Sequence, residues 1–201
     1  EASEYLVNVE LRIEEACAWA EAGYSIADEQ FALTARPAWT AHTSKGGSLT
    51  ISGNSVSGTD DEGNAYQMAF DDNGKMTAWT YAGKQILHTN ANGTIASGAA
   101  PDFNSCRNID NDKESTGTAN VGCVNSSSTK IIKALTQDEA TGCATMTVQG
   151  NAKNCQYTIR YTFYPDATVD MKTTFSPSGA TRRLGLGLQL ASGFENVEFY
   201  A

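Results

Sequence analysis

The chain has 201 residues, of which 40% are hydrophobic and 18% charged, and its formal net charge is -9 with a pI near 4.6. This length suits one large domain or two small ones, and the apolar fraction is sufficient for a packed core. The acidic balance argues against a nucleic-acid partner, which needs a basic face. No apolar run approaches the roughly 18 residues of a membrane span, so we expect no membrane partner.

Alternation of apolar and polar residues, the period of a β-strand, dominates the chain. The first alternating run is Tyr5–Ile13. It is followed by residues 14–22, which are rich in Ala and Glu and compatible with one or two helical turns. A break in composition around Pro37 marks residues 35–48 as a linker. We therefore expect a short first piece, residues 1–34, and a longer second one, residues 49–201.

The second piece contains a series of predicted hairpins. A strand ending at Phe70 runs into the turn Asp71-Asp72-Asn73-Gly74, and a strand ending at Phe163 runs into Tyr164-Pro165-Asp166-Ala167. Another strand over residues 182–190 has leucines on one face and Gly185, Gly187 and Gln189 on the other, which predicts close approach to that backbone. The fold class is therefore all-β, an antiparallel β-sandwich. Residues 90–128, rich in Gly, Ser, Asn and Asp, form a long loop.

The titratable residues do not define a catalytic site. The two histidines, His42 and His88, have no Ser or Cys neighbour that would form a triad, and no Gly-rich phosphate loop occurs. The densest polar cluster comprises residues 107–112. It has two alternative interpretations: it binds a sugar or a cation, or its side chains form a network of hydrogen bonds that caps local turns. Since it lacks the Gly and distal Glu of a calcium loop, we predict no metal site. Its candidate substrate-binding residues are Arg107, Asp110, Asn111 and Asp112.

Five cysteines occur without any CxxC or Cys/His metal spacing. Cys143 and Cys155 flank a predicted hairpin turn at residues 149–151, so they are the best candidates for a disulfide. Free thiols throughout are the alternative. A disulfide would favour a periplasmic or extracellular bacterial location and reduced thiols the cytoplasm, so the compartment stays open.

Several motifs occur in an order that resembles the bacterial β-galactosidases of glycoside hydrolase family 2, in the region after their catalytic barrel. The segment EYLVNVELRIEEACAWAEAGYSIADEQFAL is similar to the end of the family's immunoglobulin-like domain. The segments AYQMAFDDNGKMTAWTYAGKQIL, PDFNSCRNIDND and RLGLGLQLASGFENVEFYA are similar to the terminal β-domain. The segment PDFNSCRNIDND departs from the family pattern, since Arg107 lies three positions before Asp110 where the family has four, and Ile109 replaces a Pro.

The resemblance implies a galactose mutarotase-like supersandwich over residues 49–201, preceded over residues 1–34 by the last strands of an immunoglobulin-like sandwich. It implies that the chain is part of a longer retaining β-galactosidase whose two catalytic carboxylates lie on the absent barrel. The expected function is then a non-catalytic β-domain that supports the substrate mouth and the subunit contacts, without a cofactor. Its partners would be the remainder of the parent enzyme, the parent's galactoside substrate and, through exposed strand edges, a second copy.

Two other functions stay open. One is a carbohydrate-binding module for galactosides, which an exposed Trp or Tyr on a sheet face would favour. The other is an aldose mutarotase-like enzyme, which would require a His and carboxylate pair in a cleft.

Overall fold

The computed structural model describes residues 4–35, 40–105, 127–152, 155–179 and 183–194. All of its regular elements are β-strands, and every paired strand is antiparallel. The chain divides into two compact units, residues 1–42 and 43–201. The all-β antiparallel class predicted from the alternating pattern is confirmed.

The first unit is a hairpin of β1 (Leu6–Arg12) and β2 (Ser25–Ala32), in which Val7 lies opposite Phe31 and Val9 opposite Glu29. Every residue of both strands is exposed. Residues 14–22 form no helix; a short bridge between Cys17 and Ala20 closes a turn there instead. None of the described residues of this unit is buried, and a two-stranded hairpin has only marginal stability by itself.

The second unit contains two larger sheets, each built from consecutive hairpins. The five-stranded sheet follows chain order from β3 (Ser48–Ser52) through β4 (Ser55–Thr59), β5 (Ala65–Phe70) and β6 (Met76–Tyr81) to β7 (Lys84–Gln85). The strands of the four-stranded sheet also lie in chain order, which is β9 (Ser128–Gln137), β10 (Ala144–Ala152), β11 (Cys155–Phe163) and β12 (Val169–Pro177).

The core lies between these two sheets. Alternate residues of β5, β10 and β11 point into it, and the Phe70 ring contacts both Tyr161 and Phe163 at centroid distances of 5.2 and 5.9 Å. The largest fully buried side chains come from both sheets and from Leu87, which follows β7; those in the sheets are Val56, Met68, Met146, Val148, Tyr157, Ile159, Tyr161 and Phe163. Burial of each such side chain contributes about 1.5–3 kcal/mol, which accounts for the pairing of the sheets into a sandwich.

A third, two-stranded sheet joins β8 (Asp102–Asn104) to β13 (Gly185–Gly187), with Leu186 opposite Phe103. The strand predicted over residues 182–190 is therefore much shorter, although Leu190 adds an isolated bridge to Leu87. Phe103 is buried and stacks on Tyr157, which attaches this small sheet to the main core. Of the apolar residues at the end of the chain, Phe194 is exposed, and Val197, Phe199 and Tyr200 lie outside the described residues.

The predicted disulfide between Cys143 and Cys155 is wrong. Cys155 pairs with Ala152, so the turn lies between these two residues and not at residues 149–151. Cys143 precedes Ala144, which pairs with Phe163 at the other end of the same hairpin. Cys143 lies nine residues before Ala152, so at about 3.4 Å per residue the two cysteines are on the order of 30 Å apart, far beyond the roughly 7 Å limit for a bridge. Both thiols are free.

Candidate functional site

A polar cleft lies where the small β8–β13 sheet meets the turn between β5 and β6. Its volume is about 370 Å³. Most of its lining side chains carry amide, hydroxyl or charged groups, and the lining residues are Lys75, Ser97, Gly98, Asp102, Phe103, Asn104, Gly187 and Gln189. Such a cleft offers both donors and acceptors to a ligand.

Asp102 is the central residue of this cleft, and its exposed fraction is only 8%. Its Oδ1 accepts hydrogen bonds from the Tyr157 hydroxyl at 2.8 Å, from the Ser127 hydroxyl at 2.7 Å and from the Phe103 backbone N–H at 2.7 Å. Its Oδ2 lies 3.4 Å from the Nζ of Lys75. A buried carboxylate is stable only when it is paired and hydrogen-bonded, and Asp102 meets both conditions.

Tyr157 connects this carboxylate to the core. Burial, followed by the neighbouring Asp102 carboxylate, raises the pKa of the Tyr157 hydroxyl well above its usual range, so the group acts as a donor. The Ser127 hydroxyl, which has a single hydrogen, lies within hydrogen-bond distance of both the Tyr157 oxygen and Asp102 Oδ1 and donates to one of them at a time. These hydrogen bonds fix the position of Asp102, and its Oδ2 atom faces Lys75.

One wall of the cleft depends on a glycine. A Cβ atom built on Gly187 would lie 3.2 Å from the Nδ2 of Asn104, closer than most real contacts. Because Gly187 pairs with Asp102 across the small sheet, a larger residue there would displace the cleft wall. The predicted close approach to this strand is thus confirmed at Gly187, whereas Gly185 has only an ordinary contact at 3.7 Å with the Asn104 carbonyl.

A second concavity, the aromatic recess, lies between the core-facing side of β5 and β6 and the turn that joins β11 to β12. Its volume is about 270 Å³. Three aromatic side chains form one side and the turn between β11 and β12 forms the other, and the lining residues are Tyr66, Trp79, Tyr81, Ile86, Asp166, Ala167 and Thr168.

The sequence-predicted substrate residues Arg107, Asp110, Asn111 and Asp112 lie outside the described residues. The structure instead brings together Lys75, Asp102, Asn104 and Gln189, which the sequence analysis did not select. These four residues are spread over more than a hundred positions, so no local spacing indicates that they meet. The only available signal was the Gly185/Gly187 alternation, which marks the strand that forms the cleft wall.

The chemistry available to these sites can be stated from their lining residues. Asp102 is the single carboxylate among the described residues of the polar cleft, and Asp166 is the single one in the recess. Among the described residues no group of three or more His, Cys, Asp or Glu could hold a metal ion. No helix within the described ranges is long and apolar enough to cross a membrane. The geometry therefore fits binding of polar ligands.

Together these features define an all-β sandwich domain with two ligand-sized concavities. Residues 62–201, or 140 of the 201 residues, match the family described as beta-galactosidase small chain. The chain belongs to this β-galactosidase family. A comparison with curated proteins found no match.

Proposed function

We propose that this chain is the non-catalytic β-sandwich part of a retaining β-galactosidase of glycoside hydrolase family 2, an enzyme that hydrolyses terminal β-D-galactosides. The observation that carries the proposal is the family match over residues 62–201, which includes both larger sheets except for β3 and β4. The description of that family as a small chain fits a part that works with a larger one. The remainder of the parent enzyme is then its main partner.

The hydrogen bonds and the ion pair of Asp102 support the prediction that this chain alone does not hydrolyse galactosides. A retaining glycosidase uses two carboxyl groups about 5 Å apart, one as nucleophile and one as acid/base. In the polar cleft the nearest charged neighbour of the Asp102 carboxylate is the Lys75 ammonium, and the three donors on Oδ1 give the carboxylate a structural role. We place the catalytic carboxylates in the parent's barrel.

The first unit has a supporting role in this proposal. Its β1–β2 hairpin would be the end of an immunoglobulin-like sandwich whose other strands belong to the parent. Val7, Val9 and Leu11 share one face and are 37%, 48% and 65% exposed. A partner sheet from the parent would cover this face, and the second unit would support the substrate mouth and subunit contacts.

The proposal is tested by hydrolysis of a nitrophenyl β-galactoside. The purified chain should release nitrophenol at the buffer rate, whereas the longer parent polypeptide should be active. The Asp102→Asn variant of the chain is the control for contamination. Hydrolysis by the chain that survives two independent purifications and is lost in Asp102→Asn would contradict the proposal.

The mutarotase alternative receives less support from the geometry. That chemistry needs a His and a carboxylate in one cleft. Neither His42 nor His88 is among the residues that line the polar cleft or the aromatic recess. The carbohydrate-binding alternative is favoured by one specific feature, the aromatic recess.

A further inference from the structure

One wall of the aromatic recess consists of three aromatic side chains from the core-facing side of the five-stranded sheet. Trp79 and Tyr81 are two residues apart on β6, so their side chains point to the same side of the sheet. Tyr66 on β5 is the direct partner of Tyr81, and Met68 is the partner of Trp79, so Tyr66 shares that side as well. Tyr66 is only 3% exposed and belongs to the core, so the platform that a ligand can contact consists of the half-buried rings of Trp79 and Tyr81.

The opposite wall is the polar turn between β11 and β12. Asp166 is held there by two backbone donors, with its Oδ1 3.2 Å from the Thr168 N–H and its Oδ2 3.1 Å from the Lys45 N–H. These contacts orient the carboxylate in the lining of the recess, and a carboxylate oxygen can accept more than one hydrogen bond. The Thr168 side chain lies beside it in the lining. A ligand in the recess therefore meets an apolar face on one side and hydrogen-bonding groups on the other.

The platform is rigid before any ligand arrives. The Tyr81 hydroxyl donates to Asp60 Oδ2 at 2.7 Å and accepts from the Asn64 side-chain amide at 3.3 Å. The Tyr66 hydroxyl donates to the Ser48 carbonyl at 2.8 Å. Since both tyrosines are fixed by contacts within the fold, binding would cost little side-chain entropy.

We propose that the aromatic recess binds a single neutral pyranose ring. A pyranose has apolar C–H faces that pack on an aromatic platform and hydroxyl groups on its rim that donate to a carboxylate such as Asp166. The volume of about 270 Å³ is slightly below the roughly 300–1,000 Å³ of pockets for drug-sized ligands, which suits one ring and not an oligosaccharide.

Two other ligand classes fit less well. The Asp166 carboxylate repels an anionic sugar such as a uronate. A quaternary ammonium ion is recognised by rings that surround it as an aromatic cage, whereas Tyr66, Trp79 and Tyr81 lie side by side on one sheet. The inference deepens the proposed function and rests on it only for the choice of galactosides as the first probes.

The test is a titration of the full chain with methyl β-galactoside, followed by saturation-transfer NMR and isothermal calorimetry. We expect saturable binding with a Kd on the order of 1 mM, as is typical for a ligand of this size. Trp79→Ala should weaken binding at least about tenfold, and the matched control Trp19→Ala should not change it, because Trp19 lies in the first unit and is 68% exposed.

A second pair of variants keeps the test valid if Trp79→Ala fails to fold. Asp166→Asn should weaken sugar binding several-fold, whereas Asp61→Asn, an exposed residue outside the recess, should leave it unchanged. Galacturonate and choline are the competing probes, and both should bind more weakly than the neutral sugar.

Three results would overturn the proposal. These are no saturable binding of methyl β-galactoside or methyl β-glucoside to the folded chain, equal binding in the Asp166→Asn and wild-type chains, and tighter binding of choline than of either sugar. Its failure can be told apart from failure of the proposed function, because the latter is read from hydrolysis by the chain and its parent and not from sugar binding.

Discussion

The ring of Tyr157 lies directly across Gly150, its partner on the neighbouring strand. A Cβ atom on Gly150 would be only 2.1 Å from the Cζ of Tyr157, so any larger residue would displace the ring. This close fit lets the Tyr157 hydroxyl reach the Asp102 carboxylate at 2.8 Å. A glycine in the four-stranded sheet therefore determines the geometry of the polar cleft.

We predict that Gly150→Ala destabilises the second unit by about 1–3 kcal/mol or more, because Tyr157 has no room to move in the packed core. The measurement is urea unfolding followed by circular dichroism. Gly179→Ala is the matched control, since an added Cβ there has no neighbour within 4 Å, and it should stay within about 0.5 kcal/mol of the wild type. Equal midpoints for the two variants would show that the ring adjusts freely.

Removal of the Tyr157 hydroxyl should also be costly. Tyr157→Phe keeps the ring and deletes one donor to the buried Asp102 carboxylate, which should cost roughly 1–3 kcal/mol. Tyr5→Phe, at a tyrosine with 62% exposure, is the control and should be nearly neutral. A double-mutant cycle with Asp102→Asn should reveal a coupling of at least about 0.5 kcal/mol, and strict additivity would contradict the described network.

The hairpins of the second unit were largely predictable from local pattern. Tyr66, Met68 and Phe70 alternate into a turn of the expected type, and Tyr157, Ile159, Tyr161 and Phe163 do the same, because each buried face repeats every second residue. The turn predicted at residues 149–151 was wrong, because β10 stays paired with β11 through Ala152. Gly150 indicated a turn there, whereas it lies within the strand to accommodate the Tyr157 ring.

Ala82 adopts a backbone conformation that is unfavourable for its residue type. Ala82, with φ 49°, and Gly83, with φ 74°, form the two-residue turn between β6 and β7. Asn is favoured at the first position of such a turn. We predict that Ala82→Asn stabilises the chain by about 0.5–1 kcal/mol in urea unfolding, and that the control Ala140→Asn, at a turn residue whose own φ is not positive, does not. Destabilisation by Ala82→Asn would contradict this assignment of the turn.

The Asp60 carboxylate should make stability depend on pH in acid. Its hydrogen bond from Tyr81, together with those from Asn64 and the Glu62 backbone, lowers its pKa from 3.8 to about 2. Since the folded-state pKa is depressed, this contribution is present above the unfolded pKa near 4 and is lost as the pH falls towards 2. The stability difference between wild type and Asp60→Asn should therefore shrink over this window.

The same carboxylate can be followed by NMR. In Tyr81→Phe its titration midpoint should move upward from about 2 towards 3.8, because the largest cause of the depression is removed. Asp61→Asn, at the exposed neighbouring residue, is the control and should leave the Asp60 midpoint in place. An unchanged midpoint in Tyr81→Phe would show that the hydroxyl does not stabilise the charged form.

The cysteines offer a direct check of the strand register. Peptide mapping without reductant should find no link between Cys143 and Cys155, even after mild oxidation, since they lie at opposite ends of one hairpin. The alkylation rate should be higher for Cys17, which is exposed, than for Cys155, which is buried. A Cys143–Cys155 peptide in folded protein would contradict the register of β10 against β11.

The candidate sites could not be predicted to the same extent as the strands. Lys75, Asp102 and Gln189 meet only because β8 and β13 pair across some eighty residues of chain, and a local pattern does not contain such a pairing. Trp79 and Tyr81 were recognised as strand residues. Their position in an open recess depends on a turn of the other sheet.

The connectivity of the two larger sheets has a consequence for the order in which the protein assembles. Both follow chain order, so nearly all of their pairing is between consecutive segments, which typically form rapidly. The β8–β13 pair closes a much longer loop and gains only three residue pairs. The backbone amides of Leu186 and Phe103 should therefore exchange with deuterium sooner than those of β10 and β11. The polar cleft would thus be the last part to assemble during folding and the first to open.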